Sequence, residues 1–276
     1  MKRASFDLLI CPSCHGELES FCIDPNAEPC LYGNLYCEAC SRNYSIVDGI
    51  PHFIKPEELI GLNRIFSGIY DRYSRRYRLF SKMAFAHIGM DEDAGRREIT
   101  DRLDPHGGKV LEVSIGPGVN LPYLLDRPDV GEVLGLDISL GQLKRCQNYL
   151  AENDWSVELF LGNGEQLPFR GESFDGVLHM GGINFFDNKK FAIDEMIRVA
   201  RPGARIIIAD QTEKGSLVYE KFIPGFIKKS AGAKRQIIYP PVDLVPAEML
   251  DLNVSDVWKG WLYCIEFRKP FIEQPR

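Results

Sequence analysis

Two pairs of cysteines, Cys11/Cys14 and Cys37/Cys40, are the residues of this chain most closely fitted to a chemistry. Each pair has the C-x-x-C spacing of a tight turn that presents two thiolates to one centre. Two such pairs supply the four-sulfur tetrahedral set that structural zinc takes. The spacer between them, residues 15–36, is slightly longer than usual. So small a segment buries too little core to fold alone, so the metal would supply folding energy directly. Cys22 and Cys30 lie between the pairs without C-x-x-C partners and are expected to be free bystanders. His15 adjoins a ligand, but four cysteines already close the site.

A second constellation lies at residues 109–139, KVLEVSIGPGVNLPYLLDRPDVGEVLGLDIS. Val110, Leu111 and Val113 form a short apolar run suited to a strand buried on both faces. Gly116 and Gly118 follow, where a turn needs open torsions and a ligand can approach bare backbone. A helix starting near Val119 would point free N–H groups at that ligand. A second strand, residues 133–136, ends in Asp137, whose carboxylate can accept from both hydroxyls of a ribose. This is a nucleoside half-site. The dinucleotide fingerprint wants a third glycine where Leu121 stands, which argues against nicotinamide or flavin.

These residues must be positioned by a larger frame. The 276 residues allow one large domain with a small appendage, and 45% apolar content supports a real core. A formal charge of −6 gives no global basic field for nucleic acid. Residues 1–10 lack the apolar core of a signal peptide, and no uncharged run reaches membrane-spanning length. The expected compartment is therefore the cytoplasm, where thiols stay reduced. Residues 65–88 read as one helix, and Arg64, just before it, together with Arg72, Arg75, Arg76, Arg78 and Lys82, crowds the segment against a single acid, Asp71. A second helix spans about residues 93–103. Strands at 157–161, 174–178, 204–209 and 263–268 alternate with helices at 140–150 and 189–200. That alternation makes a mostly parallel α/β sheet covered on both faces, with the ligand beyond its carboxyl ends.

The segments LLICPSCHGELE and LYCEACSRNYSIVDGIPHFI resemble the zinc ribbons found as activator subunits of tRNA and protein methyltransferases. The set LEVSIGPG, GLDIS, GNGEQLPF, SFDGVL and IRVARPGA, in this order, resembles the class I S-adenosylmethionine-dependent methyltransferases. Within that class the ubiquinone/menaquinone-biosynthesis enzymes are most similar, through residues 174–203, IYDRYSRRYRLFSKMAF and LVYEKFIPGFIKKSAG. The resemblance implies a zinc-ribbon domain at 1–56 and a Rossmann-like methyltransferase domain at 57–276, with zinc on Cys11, Cys14, Cys37 and Cys40. It implies a cofactor site in which Glu112 orients the methionine part, while Ser114, Gly116 and Gly118 form the turn. Asp137 would hold the ribose and Ile138 the adenine face. Asn163, Gly164 and Glu165 would lie at the adenine edge, His179 and Met180 under the sulfonium, and Tyr77 near the carboxylate.

The chain departs from the family pattern at three places. Ser114 replaces a glycine, so left-handed torsions are expected to be avoided there. Asn163 replaces an aspartate, and Arg78 follows Tyr77 where an aspartate is common. The activity implied is methyl transfer to a small molecule, quinone-like or lipid, with His179 as candidate base and Asn184 and Tyr73 lining the acceptor pocket. The alternative is an rRNA or tRNA base methyltransferase that grips RNA through the ribbon and the basic patches, the second being Lys228, Lys229, Lys234 and Arg235. A third reading is a non-catalytic cofactor-binding scaffold. Peripheral contact with a membrane is compatible with the first reading.

Overall fold

The computed structural model describes residues 1–222 and 238–271. The second basic cluster, Lys228, Lys229, Lys234 and Arg235, and most of the 217–232 resemblance lie outside the described residues. The chain opens with a four-stranded antiparallel sheet: β1 (Glu19–Cys22), β2 (Gly33–Cys37), β3 (Arg42–Val47) and β4 (Ile50–Pro51), in that order. Cys22 and Cys30 are joined as a disulfide, not free as expected. They close the loop that leads into β2, with Cα atoms 5.9 Å apart, a separation that disulfide geometry requires.

Where one helix was expected, two occur. The helices α1 (Gly61–Tyr73) and α2 (Tyr77–Ile88) are separated by a 3₁₀ turn, Ser74–Arg76. The buried Ser74 hydroxyl donates back to the Asp71 carbonyl at 3.0 Å, a local bond that competes with the helical ladder at the break. Gly89, in the left-handed region at φ 62°, ends α2. Helix α3 (Glu92–Thr100) starts on Asp91, whose side chain accepts from Ala94 N.

The main sheet then assembles as β5 (Lys109–Val113), β6 (Glu132–Asp137), β7 (Glu158–Leu161), β8 (Phe174–Met180) and β9 (Ala200–Gln211). All of them pair in parallel. Two further strands, β10 (Leu250–Val257) and β11 (Leu262–Arg268), add antiparallel to the β9 edge. The spatial order is β10-β11-β9-β8-β5-β6-β7. The reversal at β5 makes a crevice beyond its carboxyl end, which is where such sheets bind ligands. Helices α4 (Leu121–Leu125), α5 (Leu140–Asn153), α6 (Lys189–Val199) and α7 (Glu213–Phe222) supply crossovers and cover. Ser139 caps α5 through Gln142 N, and Asn188 caps α6 through Phe191 N. No described helix is long and apolar enough to cross a membrane.

The N-terminal sheet is welded to the main one. Leu9 bridges Phe169 antiparallel, His52 bridges Leu161 in parallel, and Phe53 N donates to Leu161 O at 2.8 Å. Leu9, Tyr44, Ile46 and Phe53 share one apolar core with Leu136, Phe160 and Phe169. The opposite face of the sheet packs a second core around Ile115, Leu121, Leu143 and Leu178. Because Phe53 is 3% exposed and lies 5.1 Å from the Tyr44 ring, its truncation empties the junction. Phe53→Ala is expected to cost about 3–5 kcal/mol, read as a lowered Tm in thermal unfolding. An unchanged Tm would show that the two sheets are not packed through this ring.

Candidate active site

The turn after β5 is built from residues in alternating left-handed conformations: Ser114 at φ 64°, Gly116 at 57° and Gly118 at 75°. Ser114 therefore does not avoid the left-handed region, contrary to the sequence expectation. The β5 end and Ile115, whose N donates to Leu136 O at 3.0 Å, hold it there at a cost on the order of 1–2 kcal/mol. The two glycines serve different ends. A Cβ on Gly116 would meet nothing within 4 Å, so this backbone faces open space. A Cβ on Gly118 would press on Cys146 Sγ and Leu121 Cδ1, each at 2.8 Å, so its bareness lets α5 and α4 pack under the turn. The helix after the turn starts at Leu121, slightly later than expected, and has five residues.

Asp137, at the tip of β6, locks this turn. One carboxylate oxygen accepts from Gly116 N and the other from Ser139 N, both at 2.8 Å. Burial raises its pKa to about 6, against those two hydrogen bonds. Its unfilled lone pairs face a cavity that runs from Asn63 and Ile138 past Gly116 to Met180 and Trp261. Gln142 Oε1, buried and without a hydrogen-bond partner among the described residues, belongs to a residue of the same wall.

Six of the predicted cofactor residues line this cavity: Tyr77, Ser114, Gly116, Asp137, Ile138 and Met180. Six do not: Glu112, Gly118, Asn163, Gly164, Glu165 and His179. Glu112 is fully buried behind Asn120, which donates to it at 2.6 Å, and its second oxygen has no partner among the described residues. Burial pushes its carboxyl up to about 8, opposed by Asn120 and Arg96. Glu165 Oε1 instead accepts from Asn63 at 2.9 Å, so Asn63 reaches the cavity in its place. Asn163 accepts from the Glu165 amide at 3.0 Å, shaping its own loop. Gly164 makes room for Phe186, whose ring would lie 3.0 Å from a Cβ built there.

His179 is turned away because side chains alternate across a strand: its neighbour Met180 takes the cavity side of β8. Its Nδ1 sits 3.1 Å from Val113 O, and burial drops its pKa to about 4. Asn184 also misses the wall. It donates to Gln211 O and accepts from Tyr263 Oη, each at 2.9 Å, which makes it a buried tie between β9 and β11. The Tyr73 side chain lies outside the described residues.

Sequence reading missed Arg96, Asn120, Asp210 and a wall of rings that includes Phe85, Trp258 and Trp261. Arg96 is 4% exposed, paired with Glu92 at 2.9 Å. It donates to Asn120 Oδ1 at 2.6 Å and to Ser81 Oγ at 2.7 Å. Asp210, fully buried at the end of β9, accepts from Asn184 N at 2.8 Å and Gln211 N at 2.7 Å, and burial lifts it to about 6. An arginine on a helix thirteen positions ahead of β5 carries no local motif. The acid after ARIIIA, directly at a strand end, was a usable signal.

The four cysteines come together as expected. The Sγ atoms of Cys11, Cys14, Cys37 and Cys40 all lie within 4.8 Å of one another, with Cys11–Cys40 at 3.6 Å and Cys14–Cys37 at 3.5 Å.

Two measurements test this geometry. Gly118→Ala is expected to lower the unfolding temperature more than Gly116→Ala, since only the former adds a clash to the left-handed strain; equal losses would refute the packing role of Gly118. For Glu112, the folded-state pKa is raised, so the folded chain binds more protons than the unfolded one between the ordinary carboxylate range and about pH 8. Stability therefore falls as pH rises through that window, on the order of 2 kcal/mol between about pH 6.5 and 8. Melts of Glu112→Gln should lose this slope, and a variant retaining it would show that another group titrates.

The family model described as "Methyltransferase domain" matches residues 111–208, and that of "Trm112p-like protein" matches residues 2–49. The O-methyltransferase rstn1 of Aspergillus nomiae is 30% identical over 158 residues, covering 51% of this chain and 69% of that protein. A phosphatidylethanolamine N-methyltransferase of Cereibacter sphaeroides is also 30% identical, with 53% of this chain and 72% of that one covered. A demethylmenaquinone methyltransferase of Desulfitobacterium hafniense is 24% identical over 72% of this chain and 81% of its own. Among solved structures, a phosphoethanolamine N-methyltransferase 2 of Haemonchus contortus shares the fold with a TM-score of 0.52 at 13% identity, over 68% of this chain and 57% of that one. With this sheet order, this turn and these relatives, the chain belongs to the class I S-adenosylmethionine-dependent methyltransferases.

Proposed function

We propose that the cavity beyond β5 holds S-adenosylmethionine with its ribose hydroxyls on Asp137 and passes the methyl group to a small-molecule acceptor. The observation that supports this most directly is the Asp137–Gly116 bond, which presents a carboxylate and open backbone to one cavity. The residues fit the cofactor. Gly116 leaves room, Ile138 offers an apolar face, and the unpaired Gln142 oxygen can accept a hydrogen bond. Arg96, held by Glu92, Ser81 and Asn120, is the buried cation suited to a carboxylate at the far end, beside Tyr77. Glu112 acts on that end only through Asn120. When bound, the cofactor supplies a sulfonium methyl already activated for transfer. The protein's remaining work is alignment and exclusion of water.

The aromatic wall of Phe66, Phe85, Phe185, Phe186, Trp258 and Trp261 is suited to a flat or apolar acceptor, with Asp210 as its polar mark. Asp210 lines the cavity whereas His179 stands behind Phe186, ring centroids 5.4 Å apart, so Asp210 is the better-placed group for any proton that must be taken up. The relatives that act on menaquinone precursors, phosphatidylethanolamine and hydroxyl groups agree with a small acceptor, as their names state.

In the N-terminal segment, we infer that Cys11, Cys14, Cys37 and Cys40 hold zinc. Tetrahedral Zn–S bonds of about 2.3 Å put sulfurs about 3.8 Å apart, close to the separations of the thiol pairs.

Asp137→Ala is expected to weaken cofactor binding by about 1.5–3 kcal/mol in calorimetry, as for a lost charged acceptor. Unchanged affinity would mean that the ribose lies elsewhere. A methyl-transfer screen with labelled cofactor against lipid extract and RNA should label the lipid-extract fraction; label confined to RNA would overturn the small-molecule reading. Elemental analysis should find zinc in the wild type and lose it in Cys37→Ser, with a lower Tm. A metal-free, equally stable wild type would sink the zinc assignment.

A further inference from the structure

Helix α2 has two faces with different tasks. Tyr77, Ser81, Ala84, Phe85 and Ile88, spaced at helical intervals, form one wall of the cavity. On the opposite face Leu79 is 57% exposed and Met83 43% exposed, one turn apart, with Lys82 and Ala86 exposed beside them. Arg72, Arg75 and Arg76, at the end of α1 and in the turn that precedes α2, are exposed as well, as is Arg64 near the start of α1. None of Arg64, Arg72, Arg75, Arg76 and Lys82 makes an ion pair among the described residues. The acid that the sequence sets against them, Asp71, is engaged with the start of α5: its Oδ1 accepts from Ser139 Oγ at 2.6 Å and Gly141 N at 2.7 Å. Arg78 is likewise spent, lying 3.2 Å over the Tyr149 ring.

Leu79 and Met83 bury little of their apolar surface in the fold, and the cations beside them are free to meet a partner. They match a surface that is negative at its edge and apolar just beneath it. The net charge of −6 makes the patch a local exception. We propose that the outer face of α2, with the Ser74–Arg76 turn, docks on an anionic lipid bilayer and sets the cavity mouth against the membrane, so that the acceptor is a membrane-resident lipid-like molecule. This rests on the small-molecule reading above and narrows it. Nucleic acid is the poorer match, since phosphate contacts would use the cations but leave Leu79 and Met83 without a partner.

The test is sedimentation of the full chain with phosphatidylcholine vesicles and with phosphatidylcholine vesicles carrying phosphatidylglycerol. The wild type is expected to pellet with the phosphatidylglycerol vesicles only, and less so as salt is raised. Replacing Arg72, Arg75, Arg76 and Lys82 by Gln should lower the partition about fivefold per cation, from about 1 kcal/mol each. Leu79→Ser with Met83→Ser should lower it further without changing its salt dependence. Wild-type protein that stays in the supernatant with both vesicles, or Gln variants that pellet like wild type, would overturn the proposal. So would salt-sensitive retention of RNA without vesicle binding. Calorimetry with S-adenosylmethionine separates the two claims. Intact cofactor binding in a chain that ignores vesicles sinks only the docking, whereas absent cofactor binding sinks the reading of the cavity.

Discussion

The bond between Asp137 and the amide of Gly116 is the constraint on which the site depends. It ties the tips of the paired parallel strands β5 and β6 through a side chain rather than through the sheet ladder. To make it, the chain tolerates a left-handed serine, two left-handed glycines and a carboxylate carried out of water. The left-handed serine and the desolvated carboxylate are each unfavourable alone, while the glycines take their torsions freely, and this concentration at one turn marks where structure serves something other than stability. Gly135 shows how the rest of β6 yields to the same need: a Cβ there would fall 2.2 Å from Ile115, the residue that anchors the turn.

A second chain of polar groups runs from Glu92 through Arg96 and Asn120 to Glu112. It joins α3, the glycine turn and β5, three elements with no shared ladder. Buried charge of this kind contributes little to net stability, but breaking it at one link strands the others. The network fixes where Asn120 points, so it sets the shape of one end of the cavity.

Much of the frame could be read from the sequence because it is written locally. Apolar runs, the glycine pair and the acid at 137 each announce themselves within a few residues, and the cysteine pairs are self-contained. What stayed hidden depends on distance or parity. Arg96, Trp258 and Trp261 reach the cavity from elements far along the chain, the latter two from beyond the last segment that resembles the quinone enzymes. His179 lies one step of the pleat from Met180, a step that exchanges the cavity side of β8 for the buried one. Ser114 adopts its left-handed torsion against intrinsic preference because the bond of Ile115 to Leu136 holds the turn from outside the local sequence. Spacing alone leaves Cys22 and Cys30 without partners, while their pairing depends on how the hairpin folds back.

The bridge from His52 to Leu161, with Phe53 donating to the same carbonyl, has one more consequence. β7 is the outermost strand on its side, and an open ladder there would invite another polypeptide to add itself. The guard is carried on the same covalent thread, so its local concentration is set by a tether rather than by expression level or dilution. That flank is shielded as each molecule is made, without waiting for a second gene product to arrive.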